Sequence, residues 1–135
     1  MGLDIGGKRI GVSISDPDEI LATPFTVLKS KSIDQDRVAV LELAIAKEVG
    51  EIIVGIPIGL DGTKGKQAKI IEYFKRNLTE NTSIPVRGWD ERLSTEQAER
   101  RLREIGVKPS QEKGRVDAAA AAIILQSYLD FKKYT

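Results

Sequence analysis

The sequence contains no histidine and no cysteine. A Ser-His-Asp triad, an imidazole base, thiol catalysis, disulfides and thiolate zinc sites are therefore all excluded. Carboxylate, lysine, arginine and hydroxyl chemistry remain. Aromatics are scarce at 5%, and no strand pattern carries an aromatic-rich face, so recognition of single strands by base stacking has little support. No run of 18 apolar residues and no leader-like N-terminus suggests membrane insertion or export, so a cytoplasmic protein is expected. Single-sign charge is lacking too: 21 Lys and Arg against 20 Asp and Glu leave +1, and any affinity for nucleic acid must come from a local patch.

What is present describes a globular chain. Its 135 residues are 41% apolar and 30% charged, without repeat, low-complexity tract or linker. One domain spanning 1–135 is expected, too small for the two lobes of a typical ATPase or kinase.

The periodicity changes along the chain. Met1 to Ile5 forms a short start punctuated by Gly6-Gly7, and Ile10, Val12 and Ile14 then alternate with smaller or polar residues over Arg9 to Ser15. This predicts a hairpin whose second strand has one buried face. A third strand is expected over 20–28, at a sheet edge because Pro24 cannot donate to a ladder on both sides. From Ile33 to Val49, residues Val38, Leu41, Ile45 and Val49 predict one helical face. The unalternating Ile52, Ile53, Val54 and Ile56 predict a strand covered on both sides. A helix over Lys66 to Leu78 with Ile71, Phe74 and Leu78 inward follows, then a strand from Ile84 to about Trp89. Ser94 and Gln97 form a capping box, with Leu93 and Ala98 as its staple, so a helix starts at Thr95 and ends by Gly106 and Pro109. A last, alanine-rich helix runs from about Arg115 to Lys132. Three strands in a meander followed by helix, strand, helix, strand, helix, helix give an α/β protein: a mixed five-stranded sheet, an antiparallel meander plus two parallel strands, flanked by helices.

In open α/β sheets the reactive crevice lies beyond the carboxyl ends of the parallel strands. Asp4 ends the first strand, Asp90 and Glu91 end the last, and Asp117 opens the final helix, so three acidic stations surround one point. Carboxylates held close together repel one another unless a cation compensates them. A hard cation such as Mg²⁺ or Mn²⁺ suits all-oxygen ligands and phosphate oxygens, which points to phosphoryl chemistry without histidine. Taken singly, Asp4 before a glycine turn reads as turn chemistry, Asp117 as a partner of a helix dipole, and Glu91-Arg92 as a surface pair. Their joint placement favours a metal site.

Basic residues flank the same crevice: Lys8, Arg9, Lys64, Lys66, Lys69, Arg92, Lys113 and Arg115 are placed to neutralise backbone phosphates. Arg100, Arg101 and Arg103 alternate with Glu96, Glu99 and Glu104, which reads as a solvated helix face laced with ion pairs. Lys132 and Lys133 read as an ordinary tail.

Four ordered segments resemble one family: Gly2 to Val12 with Ser15-Asp16-Pro17, Val54 to Pro57 with Asp61-Gly62-Thr63, Asp90 to Thr95, and Val116 to Ala120. Together they span nearly the whole chain and are similar to the YqgF family of Holliday junction resolvase-like proteins. The resemblance implies an RNase H-like fold and nuclease activity on Holliday junctions or in maturation of the 5′ end of pre-16S rRNA. It also places the acidic site on Asp4, Glu91 and Asp117, with Asp90 competing with Glu91 because neighbouring strand residues face opposite ways. Gly7, where Thr or Ser is common, and Ser13, where Ala is common, depart from the family pattern. A two-fold symmetric junction substrate would favour a homodimer, whereas RNA trimming could be done by a monomer.

Two other classes stay open. Asp4-Ile5-Gly6-Gly7 also resembles the phosphate loop of actin and Hsp70 proteins, against which the length argues. A catalytically idle module docking on RNA or the ribosome would bind in a salt-sensitive way without the three carboxylates.

Overall fold

The computed structural model describes residues 1–93, 96–104, 106 and 113–133, without the side chains of Gln97, Lys113 and Arg115. The elements run β1 (Gly2–Ile5), β2 (Arg9–Ser15), β3 (Ala22–Lys29), α1 (Ile33–Ala46), β4 (Ile52–Ile56), α2 (Lys66–Glu80), β5 (Val86–Asp90), a short 3₁₀ turn (Glu91–Leu93), α3 (Glu96–Glu104) and α4 (Lys113–Lys133). The sheet order is β3-β2-β1-β4-β5. β1 pairs antiparallel with β2 and parallel with β4, β2 pairs antiparallel with β3, and β4 pairs parallel with β5. The expected mixed five-stranded sheet is present, and Pro24 sits on an edge strand, opposite Ser13 where the β2–β3 register shifts. Ser94, Thr95 and Pro109, and hence the capping box and the proline stop, lie outside the described residues.

Strand alternation sends two sets of side chains to opposite faces. Leu3, Ile10, Val12, Ile52, Val54 and Ile56 meet Val40 and Ala44 of α1 and Ala68, Ile71, Phe74 and Leu78 of α2. On the other face Ala22 and Ile53 meet Leu102 of α3 and Ala122, Ile124, Leu125 and Leu129 of α4, with Trp89 and Tyr128 packed alongside. The molecule is thus a three-layer sandwich.

Three expectations change. β2 is covered on both faces, because Gly11 and Ser13 are buried against α4. On α1 the inward row is Asp36, Val40 and Ala44, while Val38 and Ile45 stand 47% and 72% exposed. The rotation is explained by Asp36, which accepts hydrogen bonds from the Ser30 hydroxyl at 2.6 Å and Lys31 N–H at 2.9 Å and so tethers its own row to the end of β3. A carboxylate in the buried row hid that row from a reading based on apolar spacing. Finally, α4 begins upstream at Lys113, so Asp117 is its fifth residue rather than part of its first turn.

α4 lies across the β1–β2–β3 side of the sheet, held by small residues and by two buried polar groups. Ser13 Oγ donates to the Ala121 carbonyl at 2.8 Å. Gln126, fully buried, accepts from Ala22 N–H at 2.9 Å and donates to the Ile20 carbonyl at 3.0 Å. Replacing Gln126 by Ala would leave the Ala22 N–H of β3 and the Ile20 carbonyl just before it unpaired next to a cavity. Denaturant unfolding of Gln126→Ala is expected to show a loss of about 2 to 4 kcal/mol.

Candidate active site

The parallel strands β1, β4 and β5 end at one edge of the sheet, and the acidic residues are disposed around that edge. Asp4 is the third residue of β1 and shares the parity of Gly2, whose α-carbon faces Ala121 and Leu125 of α4. Its register partner is Gly11. A Cβ placed on Gly11 would collide with the backbone carbonyl of Asp117. One glycine therefore lets α4 settle against the hairpin and brings Asp117 to the strand that pairs with Asp4.

Glu91 arrives from the opposite side. Trp89 packs toward α4, whereas Gly88 faces Ile56 and Lys75 on the α2 side. Glu91 follows in the 3₁₀ turn, and a Cβ on Gly55 would lie 2.9 Å from its Oε1 and 2.5 Å from Ile124 Cδ1. Glu91 thus stands on the α4 face beside the end of β4. Asp90 is committed elsewhere: its carboxylate takes the Arg92 guanidinium from Nη2 at 2.8 Å and Nε at 3.1 Å, and it accepts the Arg92 N–H at 2.9 Å. That hydrogen-bonded arginine holds the Asp90 carboxyl below the usual range.

The electrostatics separate the same two groups. Burial, then repulsion from Asp117, pushes the Asp4 carboxyl up. Burial, then repulsion from Asp4 and Asp90, pushes Glu91 up. Neither carboxylate has a hydrogen-bond or ion-pair partner among the described residues, in contrast to Asp90 and Asp117. Two half-buried, uncompensated carboxylates that repel each other are the environment in which a hard divalent cation lowers the free energy most. The donor set and its charge fit such an ion. Among the described residues, no three Asp or Glu side chains form a finished cage around one point.

The basic residues divide. Arg9 Nε lies 2.5 Å from Asp117 Oδ2, so it already neutralises one member of the acidic set. Arg92 is held by Asp90 and by the Gly59 carbonyl at 3.3 Å. Lys64 pairs with Glu72 at 2.6 Å. Lys8, Lys66 and Lys69 are exposed, Lys8 in the β1–β2 turn and Lys66 and Lys69 at the start of α2. That helix start reaches the same edge, since Gln67 Nε2 donates to the Ile5 carbonyl at 3.4 Å. The side chains of Lys113 and Arg115 lie outside the described residues. On α3, Arg100 pairs with Glu96 at 3.7 Å, as its spacing suggests, but Arg101 reaches Asp130 of α4 at 3.1 Å. Lys132 is tied to Glu19 at 3.1 Å and is no loose tail.

Gly11 and Gly55 shape the site although neither was assigned a role there from sequence. A signal existed for the two glycines, because a glycine inside a strand pattern marks the close approach of another backbone or side chain.

With this geometry in view, comparison with known proteins defines the class. Thermus thermophilus RuvC, solved in complex with a Holliday junction substrate, superposes with a TM-score of 0.66 at 14% identity, over 98% of this chain and 93% of that one. The fold is RNase H-like. The family model for RuvX, described as a Holliday junction resolvase, matches residues 1–131, and the chain belongs to that family. A Chelativorans protein named "Putative pre-16S rRNA nuclease" is 46% identical over 129 residues, covering 96% of this chain and 81% of its own length. A protein of the same name from Chloroflexus aurantiacus is 38% identical over 133 residues, covering 98% and 87%.

Proposed function

We propose that this protein is a metal-dependent nuclease that hydrolyses phosphodiester bonds in structured nucleic acid. The observation that carries the reading is the pair Asp4 and Glu91, one on the central strand and one just past the end of the edge strand β5, both half-buried and without a hydrogen-bond or ion-pair partner among the described residues, with Asp4 raising the proton affinity of Glu91. Asp4, Glu91 and Asp117 would hold Mg²⁺ or Mn²⁺. Bound there, the cation would supply Lewis acidity and charge neutralisation for attack on a phosphodiester. Lys8, Arg9, Arg92, Lys113 and Arg115 are the cations assigned to phosphate contacts. Arg9, paired with Asp117, would meet a phosphate oxygen beside the carboxylate it neutralises, and Arg92 is pre-oriented by Asp90.

The family description points to branched DNA and the relatives' names to precursor rRNA. Either substrate would have the protein act in the cytoplasm, in recombination and repair or in ribosome biogenesis. No described helix is long and apolar enough to cross a membrane. The test is side-by-side digestion of a four-way DNA junction and a pre-16S rRNA 5′ fragment, with product ends mapped. We expect cleavage that needs Mg²⁺ or Mn²⁺ and stops with chelator. Failure to cut either substrate with either ion would overturn the reading, and salt-sensitive binding that survives loss of all three carboxylates would replace it with a docking module. Paired symmetric incisions in the junction would favour a homodimer, whereas a monomer suffices for RNA trimming.

A further inference from the structure

The loop between β4 and α2 carries a leucine in an improbable place. Leu60 is 99% exposed, the most exposed of the large hydrophobic side chains among the described residues. Scattered exposed apolar residues are ordinary on protein surfaces. This one differs in what holds it and in where it stands. Gly59 N–H donates to the Thr63 carbonyl at 2.9 Å, and Gly62 N–H donates back to the Gly59 carbonyl at 2.9 Å. Inside that ring, Asp61 Oδ1 accepts the Thr63 N–H at 3.0 Å and the Thr63 hydroxyl at 2.6 Å, while Gly62 takes a left-handed φ of +83°. The tip is closed by its own polar groups, and its single large apolar side chain is turned to solvent.

The turn also touches the acidic edge. Arg92 Nη1 donates to the Gly59 carbonyl at 3.3 Å while the same guanidinium is paired with Asp90, the residue before Glu91. Leu60 is thus one residue from a carbonyl bonded to a cation assigned to the phosphate backbone. A ligand lying on Arg92 and the carboxylate edge presents phosphates there, and the apolar surface covalently tied to a phosphate backbone is the face of a nucleobase. In a continuous duplex that face is stacked and hidden, whereas at a branch, a bulge or a frayed end it is open. Apolar side chains pushed against base steps unstack and hold nucleic acid in this way.

We propose that Leu60 is a wedge that packs against an unstacked base beside the scissile phosphodiester, and that it is one means by which the protein separates branched or bulged nucleic acid from continuous duplex. The inference rests on the nuclease reading and assigns that site a specificity-determining contact. A preformed turn makes the contact inexpensive, because little loop freedom is lost on binding.

The experiment measures equilibrium binding in Ca²⁺, with no cleaving ion present, of a four-way junction carrying 2-aminopurine at the branch, of a bulged RNA, and of continuous duplexes of equal length. Wild type, Leu60→Ala and Leu60→Phe are compared. Wild type should prefer the interrupted substrates and raise the 2-aminopurine fluorescence on binding. Leu60→Ala should bind them about tenfold more weakly, with duplex binding changed by less than about twofold and the fluorescence rise lost. Leu60→Phe should restore both. Because the side chain is almost wholly in solvent, thermal melting should be unchanged in both variants. Equal losses on interrupted and continuous substrates, or no loss at all, would overturn the wedge while leaving the nuclease reading intact. A change of oligomeric state in Leu60→Ala, seen by light scattering, would overturn it in favour of a contact between copies. Wild type binding none of the nucleic acids would end both readings.

Discussion

Replacing Asp4 by Asn is expected to cripple cleavage and, at the same time, to make the protein harder to melt. The two effects have one origin. Asp4 is held in a half-buried position, its proton affinity raised by burial and by Asp117, and in turn it raises that of Glu91. Because its folded pKa lies above its unfolded value, the native state binds protons more tightly over the interval between them. Stability is therefore highest below the unfolded value, declines as pH rises through the folded one, and remains lowered at neutral pH, where both carboxylates are charged. Asparagine removes that charge while keeping the shape, so calorimetry near pH 7 should show Tm raised by about 2 to 5 °C. Near pH 3, where the wild-type carboxyl is protonated, the advantage should vanish. Cleavage should fall on the order of 10³-fold, as when a preorganised charge-stabilising group is lost. Magnesium should raise Tm of the wild type by mass action and leave that of Asp4→Asn nearly unmoved. Undiminished cleavage by the variant would remove the carboxylate site proposed here.

A single methyl group on Gly11 is expected to do comparable damage from behind the site. The new Cβ would collide with the Asp117 carbonyl, so α4 must move off the hairpin at the residue whose carboxylate belongs to the acidic set. Overpacking of this kind costs about 1 to 3 kcal/mol, and urea unfolding of Gly11→Ala should show a loss in that range. Single-turnover cleavage should drop about 10²-fold or more even where the protein is fully folded, because misplacing a catalytic group by about 1 Å has that effect. The matched control lies four residues earlier. A Cβ on Gly7 meets nothing within 4 Å, so Gly7→Ser should change neither quantity appreciably. Equal behaviour of the two variants would show that the approach of α4 to β2 is not what places Asp117.

Much of this was legible in the chain, and the parts that were not share a cause. The edge position of β3 followed from Pro24, and the two-sided burial of β4 from Ile52 to Ile56, since each is a local requirement of backbone hydrogen bonding or side-chain period. The inner face of α2 followed from Ile71, Phe74 and Leu78 for the same reason. The face of α1 did not, because Asp36 is drawn inward by Ser30 and Lys31 of the preceding connection, and apolar spacing takes no account of such a tether. Nor did the second buried face of β2, where Gly11 and Ser13 are small so that a distant helix can reach them.

The acidic site divides along that line. Three carboxylates at strand ends and near a helix start, in a chain without histidine or cysteine, were enough to suggest the chemistry proposed above, because residue type and position relative to a strand's end are local properties. The choice between Asp90 and Glu91 was not local. It depends on Arg92 closing onto Asp90, a contact two residues long that side-chain rotamers decide, and on Gly55 leaving room beside β4 and the parity that sends Trp89 toward α4, which involve residues far apart in the chain. Periodicity and composition report what each segment can bury, whereas which charge is left without a partner is settled only when the segments have been packed together.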